Sequence, residues 1–427
     1  MLVEFSVSNF RSIRERQTLS LAKSKLKESD TLDENSFSSS GLTGLELLRS
    51  CVIYGSNAAG KSNLLLALGK MVQVVKESAT EMQRGDELSM QAFRLDVASR
   101  TAPTEFEVVF ISEGVRYQYG FSATRTRIVE EWLIAFPKAK AQHWFARHWD
   151  EKEEKYQWQM GNSLKGQKQL WTESTRSNAL FLSTAVQLNS QQLQPVYDWF
   201  ADALRMTSVT GWNPRFTASL CDKKEYKDKV MGFLKAADID IDDVVVKKKV
   251  FDSKDLPTEM PDEVRSQIVE QLEGKELLSK LSMVHLDNEG KPMLFDFHED
   301  ESHGTQKLFS FAGPWLDVLE NGYVLIIDEL HDNLHPQLVR FLVRLFHSDK
   351  TNPNNAQLVF TTHETSILSS ETFRRDQVWF CEKDQSQATQ LFPLTDFNYR
   401  TRENLEMAYL AGRFGALPYI SELKRAY

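Results

Sequence analysis

The chain has 427 residues, 41% of them hydrophobic and 26% charged, and carries a formal net charge of −9. That length supplies core for two or three domains, and that composition excludes a disordered chain. The acidic balance argues against a protein that lives by neutralising nucleic-acid phosphates; no apolar run approaches the ~18 to 20 residues of a membrane span, and three scattered cysteines exclude a disulfide framework or a zinc cluster.

Residues 1 to 21 alternate, as LVEFSVSNF and then RSIRERQTLSLA, which predicts two strands joined by a tight turn. The N-terminus has no basic-then-apolar secretory pattern, so a cytoplasmic chain is expected. Residues 28 to 45 are polar and turn-rich and read as a connection. Next comes YGSNAAGKSNLLLAL at 54 to 68: an apolar strand, then Gly55, Ser56, Asn57, Ala58, Ala59, Gly60, Lys61, Ser62 and Asn63, then a helical pattern running to about Lys76. Glycines in that spacing let backbone N–H groups turn inward around a polyphosphate. Lys61 reaches the β/γ oxygens, and the Ser62 hydroxyl is placed to bind Mg2+. The expected ligands are a nucleotide and Mg2+.

From 104 to 134 the chain is rich in Val, Ile, Tyr and Phe with alternation, and HWFARHWD and KYQWQM continue the pattern, so an antiparallel meander is predicted. Residues 166 to 284 then show apolar positions at three-and-four spacing, which reads as an inserted, mainly helical region without sustained heptads. The cluster DIDIDD (238 to 243) reads as a polar loop and strand entry rather than a metal site, and the basic runs KSKLK (23 to 27), RTR (125 to 127) and KKK (247 to 249) as solvated surface. His298 with His303, and His331 with His335, have spacings zinc could use but no accompanying cysteines.

Three further stretches carry chemistry. In ESHGT, Ser302, Gly304 and Thr305 stand at the start of an amphipathic helix, where a hydroxyl, a glycine and helix N-terminal N–H groups make a second anion site. A chain that already has a phosphate loop would use it for the nucleotide of another subunit. YVLIIDEL is a buried-type strand ending in Asp328, suited to Mg2+, and Glu329, suited to polarising an attacking water. AQLVFTTHET ends a second apolar strand in Thr361, Thr362 and His363, whose imidazole can donate to a γ-phosphate oxygen.

As an ordered set, the phosphate loop, ESHGT, IIDEL with HDNLHP, and TTHE resemble the ABC-type ATPase heads of the SMC, Rad50 and RecF group, and more closely the bacterial AAA15 ATPases; FSVSNFRSI and YLAGRFGALPYI at the two ends resemble that family too. The resemblance implies an α/β fold, an ABC-type P-loop head with a mixed sheet and an antiparallel β subdomain. It implies lobe I at 1–165, the helical insertion at 166–290, and the rest of the head at 291–427. Gly55 to Ser62 would be the Walker A motif, Asp328 and Glu329 the Walker B motif, Ser302 to Thr305 the signature that caps ATP across a head-to-head homodimer, His331 to Pro336 the D-loop, and His363 the switch histidine. His303 replaces a glycine of the transporter signature. A glutamine that couples Mg2+ to the moving lobe is expected before the meander, and Gln91 matches it best.

The implied role is an ATPase switch, in a homodimer or higher assembly, serving an anti-phage system by controlling a companion effector, either a nuclease or a toxin. The alternative is a RecF-like repair ATPase that binds nucleic acid. A nuclease of the overcoming-lysogenisation type would need a C-terminal Glu plus Asp-x-Asp set, and a GTPase an Asn-Lys-x-Asp motif; neither occurs. A transporter subunit fits poorly with the large insertion and the altered signature.

Overall fold

A computed structural model describes residues 1–39, 44–138, 140–207, 213–256, 260–399 and 403–418. Two compact units result, Met1–Val209 with Val318–Tyr427, and Thr210–Asp317.

The first unit opens with β1 (Leu2–Ser8), β2 (Gln17–Ser20), the short pair β3 (Ser36–Ser38) and β4 (Glu46–Leu48), then β5 (Ser50–Gly55) and α1 (Lys61–Glu77). The aromatic-rich stretch folds as β6 (Thr104–Ser112), β7 (Val115–Ala123), β8 (Ile128–Phe136), β9 (Gln142–Asp150) and β10 (Lys155–Met160). After it come α2 (Lys168–Ser174), α3 (Phe181–Gln187), α4 (Gln194–Asp198) and β11 (Leu204–Thr207). The second unit holds α5 (Pro214–Leu220), α6 (Lys224–Ala236), β12 (Asp243–Val250), α7 (Asp262–Leu272), β13 (Glu276–Leu286), β14 (Pro292–Asp296) and most of α8 (His303–Asn321). The chain returns to the first unit with β15 (Val324–Ile327), α9 (Pro336–His347), β16 (Gln357–Thr361), β17 (Val378–Lys383), β18 (Thr389–Pro393) and α10 (Leu405–Leu410).

Two sheets carry the first unit. One is antiparallel, in the order β10-β9-β8-β7-β6-β1-β2. The other runs β11-β15-β16-β5-β17-β18, parallel except for β18. Every residue of β5, β15 and β16 is buried, as a strand covered on both faces requires. Helix α1 packs against β1 and β6 of the first sheet and β5 of the second. Its buried residues Leu64, Leu65, Leu68, Met71 and Val75 recur at the spacing of one helix face. Gln357 in β16 stitches the sheets: its carboxamide accepts from the Leu2 N–H at 2.6 Å and donates to the carbonyls of Leu2 and Leu48, each at 3.0 Å. The α/β fold, its mixed sheet and its antiparallel subdomain are those expected.

One inward position of the meander is a carboxylate. Glu131 and Arg147 are direct partners across β8 and β9, both wholly buried, with Oε2 2.8 Å from Nη2. Glu131 also accepts from the backbone N–H groups of Phe181 (2.7 Å) and Leu182 (3.0 Å) and from the Tyr119 hydroxyl (3.1 Å), while Arg147 donates to the Ala179 carbonyl at 2.6 Å. These partners offset the lost hydration of the buried pair, save at Arg147 Nη1, which has no hydrogen-bond partner. The pair fastens the start of α3 to the meander.

The organisation differs from the expected 166–290 insertion. Helices α2 to α4 belong to the first unit, because their apolar side chains join its core, and the separate unit is Thr210–Asp317. Nor is that unit mainly helical, since β12, β13 and β14 form a three-stranded antiparallel sheet. Its α5 meets α8 where Pro314 interrupts the ladder. Proline lacks the N–H that would bond the Ser310 carbonyl, and the Thr217 hydroxyl supplies that donor at 3.3 Å while accepting from the Gly313 N–H at 3.1 Å. A Cβ on Gly313 would lie 2.7 Å from the Thr217 hydroxyl oxygen, so glycine permits this approach. Among the described residues, no helix is long and apolar enough to cross a membrane.

Candidate functional site

Strand order decides where the motifs meet. β5, β16 and β15 are parallel neighbours, with Ile53 opposite Thr361 and Ile327 opposite Phe360. The loop after Gly55, the Thr362–His363 pair and the Asp328–Glu329 pair therefore leave one sheet edge together, at its carboxyl ends, where ligands of open α/β sheets bind.

Gly60 adopts φ +112, and a Cβ there would sit 2.0 Å from the Thr389 hydroxyl oxygen, so the turn into α1 needs glycine. Ala58 takes a left-handed φ of +61 in the same loop. No side chain caps α1, which leaves its N-terminus suited to an anion. Lys61 is only 6% exposed, and its ammonium donates to the Gly55 carbonyl at 2.8 Å and the Ser56 carbonyl at 3.0 Å. Its third neighbour is His363 Nε2, at 3.1 Å. Burial lowers the Lys61 pKa below the ordinary lysine value, with the charges of Asp328 and Glu329 opposing. Burial, then Lys61 itself, pushes His363 down to about 4. That imidazole is neutral at pH 7, and because an ammonium can only donate, Nε2 is the acceptor and the proton sits on Nδ1.

The acidic pair is held by Thr361. Its buried hydroxyl donates to Asp328 Oδ1 at 2.6 Å and accepts from the Glu329 N–H at 2.8 Å. Glu329 has φ +53, an uncommon conformation for a residue with a side chain, and like Asp328 it is half-buried. His331 follows, its Nδ1 3.4 Å from the His363 N–H and its ring edge-on to that ring, and His335 caps α9 through the Gln337 N–H at 3.2 Å.

A cleft of about 780 Å3 opens beside the loop, lined by Ser62, Asp328 and Gln91 together with Arg11. Gln91 thus stands in the same cleft as the two other residues suggested for a metal. A hydroxyl, a carboxylate and a carboxamide are the hard oxygen donors that Mg2+ takes. Arg11 is a site residue that the sequence reading passed over. Its backbone N–H donates to the Gln91 carbonyl at 2.7 Å, and its guanidinium lies 3.4 Å from Asn63 Oδ1. Asn63 in turn donates to the Ser12 hydroxyl at 2.7 Å, and Ser12 meets Thr389 at 2.7 Å. The available signal was NFRS itself, a turn between two strands in which Asn9 and Arg11 both need positive φ.

Ser302 to Thr305 lie in the second unit. Helix α8 begins at His303, one residue earlier than Gly304, so Gly304 and Thr305 are in its first turn. The Ser302 hydroxyl accepts from the Thr305 N–H at 3.1 Å and meets the Thr305 hydroxyl at 2.9 Å. One helix N–H of this stretch is therefore already taken by Ser302. Near the C-terminus, Tyr409 packs 5.7 Å from Tyr54, the residue before the phosphate loop, while Tyr419 and Ile420 of YLAGRFGALPYI lie outside the described residues.

A family model described as "AAA domain, putative AbiEii toxin, Type IV TA system" matches residues 51–369. No curated protein matches the chain. Among solved structures, it is similar to the SMC head domain from Thermotoga maritima, at 11% identity and a TM-score of 0.40 over 92% of this chain and 98% of that one. It is also similar to cbiO1 from Clostridium perfringens, part of the ABC transporter complex cbiONQ, at 11% identity and a TM-score of 0.30 over 90% of each chain.

Proposed function

This chain belongs to the AAA-domain family whose description names the AbiEii toxin and the type IV toxin–antitoxin system, and from that premise we propose that it is an ATP-driven conformational switch. The observation that carries this reading is the meeting of Lys61, Ser62, Gln91, Asp328, Glu329 and His363 at one sheet edge. Residues Gly55 to Asn63 wrap the triphosphate with backbone N–H groups, and Lys61 neutralises its β/γ oxygens. Ser62, Asp328 and Gln91 would hold Mg2+, which supplies charge neutralisation across the β- and γ-phosphates. Glu329 orients the attacking water and accepts its proton, and His363 contacts the γ-phosphate.

Ser302, Gly304 and Thr305 serve the nucleotide of a second copy, so that ATP is enclosed between two heads and its hydrolysis lets them part. Binding energy available only in the closed dimer is what allows a ligand to shift that equilibrium. The family description names a toxin and a type IV toxin–antitoxin system, which is a two-part arrangement; our reading extends this to a cytoplasmic regulatory ATPase that controls a companion effector, a nuclease or a toxin, in anti-phage defence.

Tagged Glu329→Gln chain purified with ATP tests both levels. Retained ATP, a mass doubled in light scattering only when ATP is present, and a stoichiometric co-purifying protein are expected. An unchanged mass removes the shared-site reading, and nucleic acid as the sole companion removes the effector reading.

A further inference from the structure

A second cleft, of about 620 Å3, adjoins the first, and apart from Gln91 the nucleotide reading makes no use of its walls. Arg94, Arg100 and Arg125 line it against a single carboxylate, Glu87, in a chain whose net charge is −9. Arg125 reaches Glu87 at 2.6 Å. Arg100 donates Nε to the Arg94 carbonyl at 2.9 Å, which leaves the fork of its terminal nitrogens for a ligand. Ser89, Gln91, Thr101, Thr104 and Thr124 complete the polar lining.

Ser89 and Gln91 line both clefts, so the wall between them is Ser89, the buried Met90 and Gln91. The segment that carries this wall is anchored from behind by Asn9. Its side chain accepts from the Phe93 N–H at 3.0 Å and donates to the carbonyls of Ser99, Ala102 and Pro103 at 2.8, 2.9 and 3.2 Å. At the wall itself, the Leu88 N–H bonds the Arg125 carbonyl at 2.8 Å, and the Gln91 carbonyl bonds the Arg11 N–H at 2.7 Å. A ligand drawn to the arginines therefore presses on a strip of backbone whose other face is the nucleotide cleft.

We propose that this cleft binds a small ligand carrying phosphate, and that Gln91 transmits its occupancy to the nucleotide cleft. Guanidinium forks suit phosphate oxygens in paired hydrogen bonds, and the volume lies in the range of small-molecule sites, roughly 300 to 1,000 Å3. The binding half stands without the ATPase reading; the transmission half rests on it.

Calorimetry on full-length Lys61→Ala chain, whose phosphate loop is silenced, tests the binding half with inorganic pyrophosphate and with a nucleoside monophosphate as probes. Saturable binding is expected, weakened about tenfold or more by the added pair Arg94→Glu and Arg100→Glu and unchanged by Lys152→Glu on a distant turn. Equal affinity for both probes makes phosphate sufficient, and tighter monophosphate binding makes a nucleotide the source; both support the site. Absence of saturable binding, indifference to the arginine reversals, or binding of a single-stranded oligonucleotide with neither small probe overturns it. If Lys61→Ala does not fold, wild-type chain should show two pyrophosphate sites, of which the reversals remove one. For transmission, the reversals should abolish any effect of the monophosphate on wild-type ATP turnover while leaving basal turnover intact; a persisting effect overturns that half. Wild-type chain that hydrolyses no ATP refutes the function proposed above and leaves the binding result standing.

Discussion

Lys61 and His363 hold each other, ammonium to imidazole Nε2, at 3.1 Å. A nucleotide phosphate arriving at this edge must take the lysine for itself, and His363 can donate from Nε2 only after its ring proton has changed nitrogen. Lys61→Ala should therefore abolish nucleotide binding in calorimetry. His363→Ala should leave binding within a few-fold but lower turnover roughly 100-fold, as loss of one preorganised donor does. Retained affinity in Lys61→Ala would show that the loop does not hold the phosphates.

One hydroxyl of Thr361 holds the Asp328 carboxylate and the Glu329 backbone N–H. Thr361→Val keeps the shape but strands the Glu329 N–H and frees Asp328, so stability should fall by about 1 to 3 kcal/mol in urea titration and turnover by roughly tenfold or more. Thr361→Ser should recover most of both, which a purely steric role for the residue would not allow.

The buried pair in the meander behaves differently. Glu131→Gln leaves Arg147 charged and uncompensated in the core, and a cost of roughly 3 to 5 kcal/mol is expected, read as a lower urea midpoint. Because Glu131 lies away from the cleft residues, the folded fraction should keep its nucleotide affinity.

His347 sets an acid limit on stability. It is fully buried, bonded to the Ser50 hydroxyl at 2.7 Å, and pushed down to about 3 by burial and then by Arg49 and Arg344. The unfolded chain takes up this proton below about 6.5 while the folded chain does not, so stability is complete above pH 6.5 and lost as pH falls toward 3. The slope from one such group is of order 1 kcal/mol per pH unit. His347→Gln should flatten the decline between pH 6 and 4, measured as urea midpoint against pH.

Those elements differ in how far they could be read without a structure. The phosphate loop, IIDEL and TTHE were legible because their chemistry needs set residues at the end of an apolar strand, and strand ends survive any error in strand order. Gln91 could be named only as an expectation, since nothing local marks it; its place beside Ser62 and Asp328 depends on backbone contacts with the turn after β1. Glu131 was hidden in VEEW, where only the strand register tells the buried glutamate from its exposed neighbour Glu130, and a bulge at Leu133/Ile134 obscures that register. The unit boundary at Thr210 was missed because helical periodicity reports a face to be covered, not which core will cover it.

The central position of β5 also constrains how the protein is made. That strand ends at Gly55, yet its neighbours β16 and β17 begin only at Gln357 and Val378. A nascent chain halted before residue 357 carries its phosphate loop on a strand with no partner on either side. Until synthesis has passed Lys383, the apolar CVIY of β5 lacks one or both of its neighbouring strands, which makes it an aggregation-exposed segment of the nascent chain.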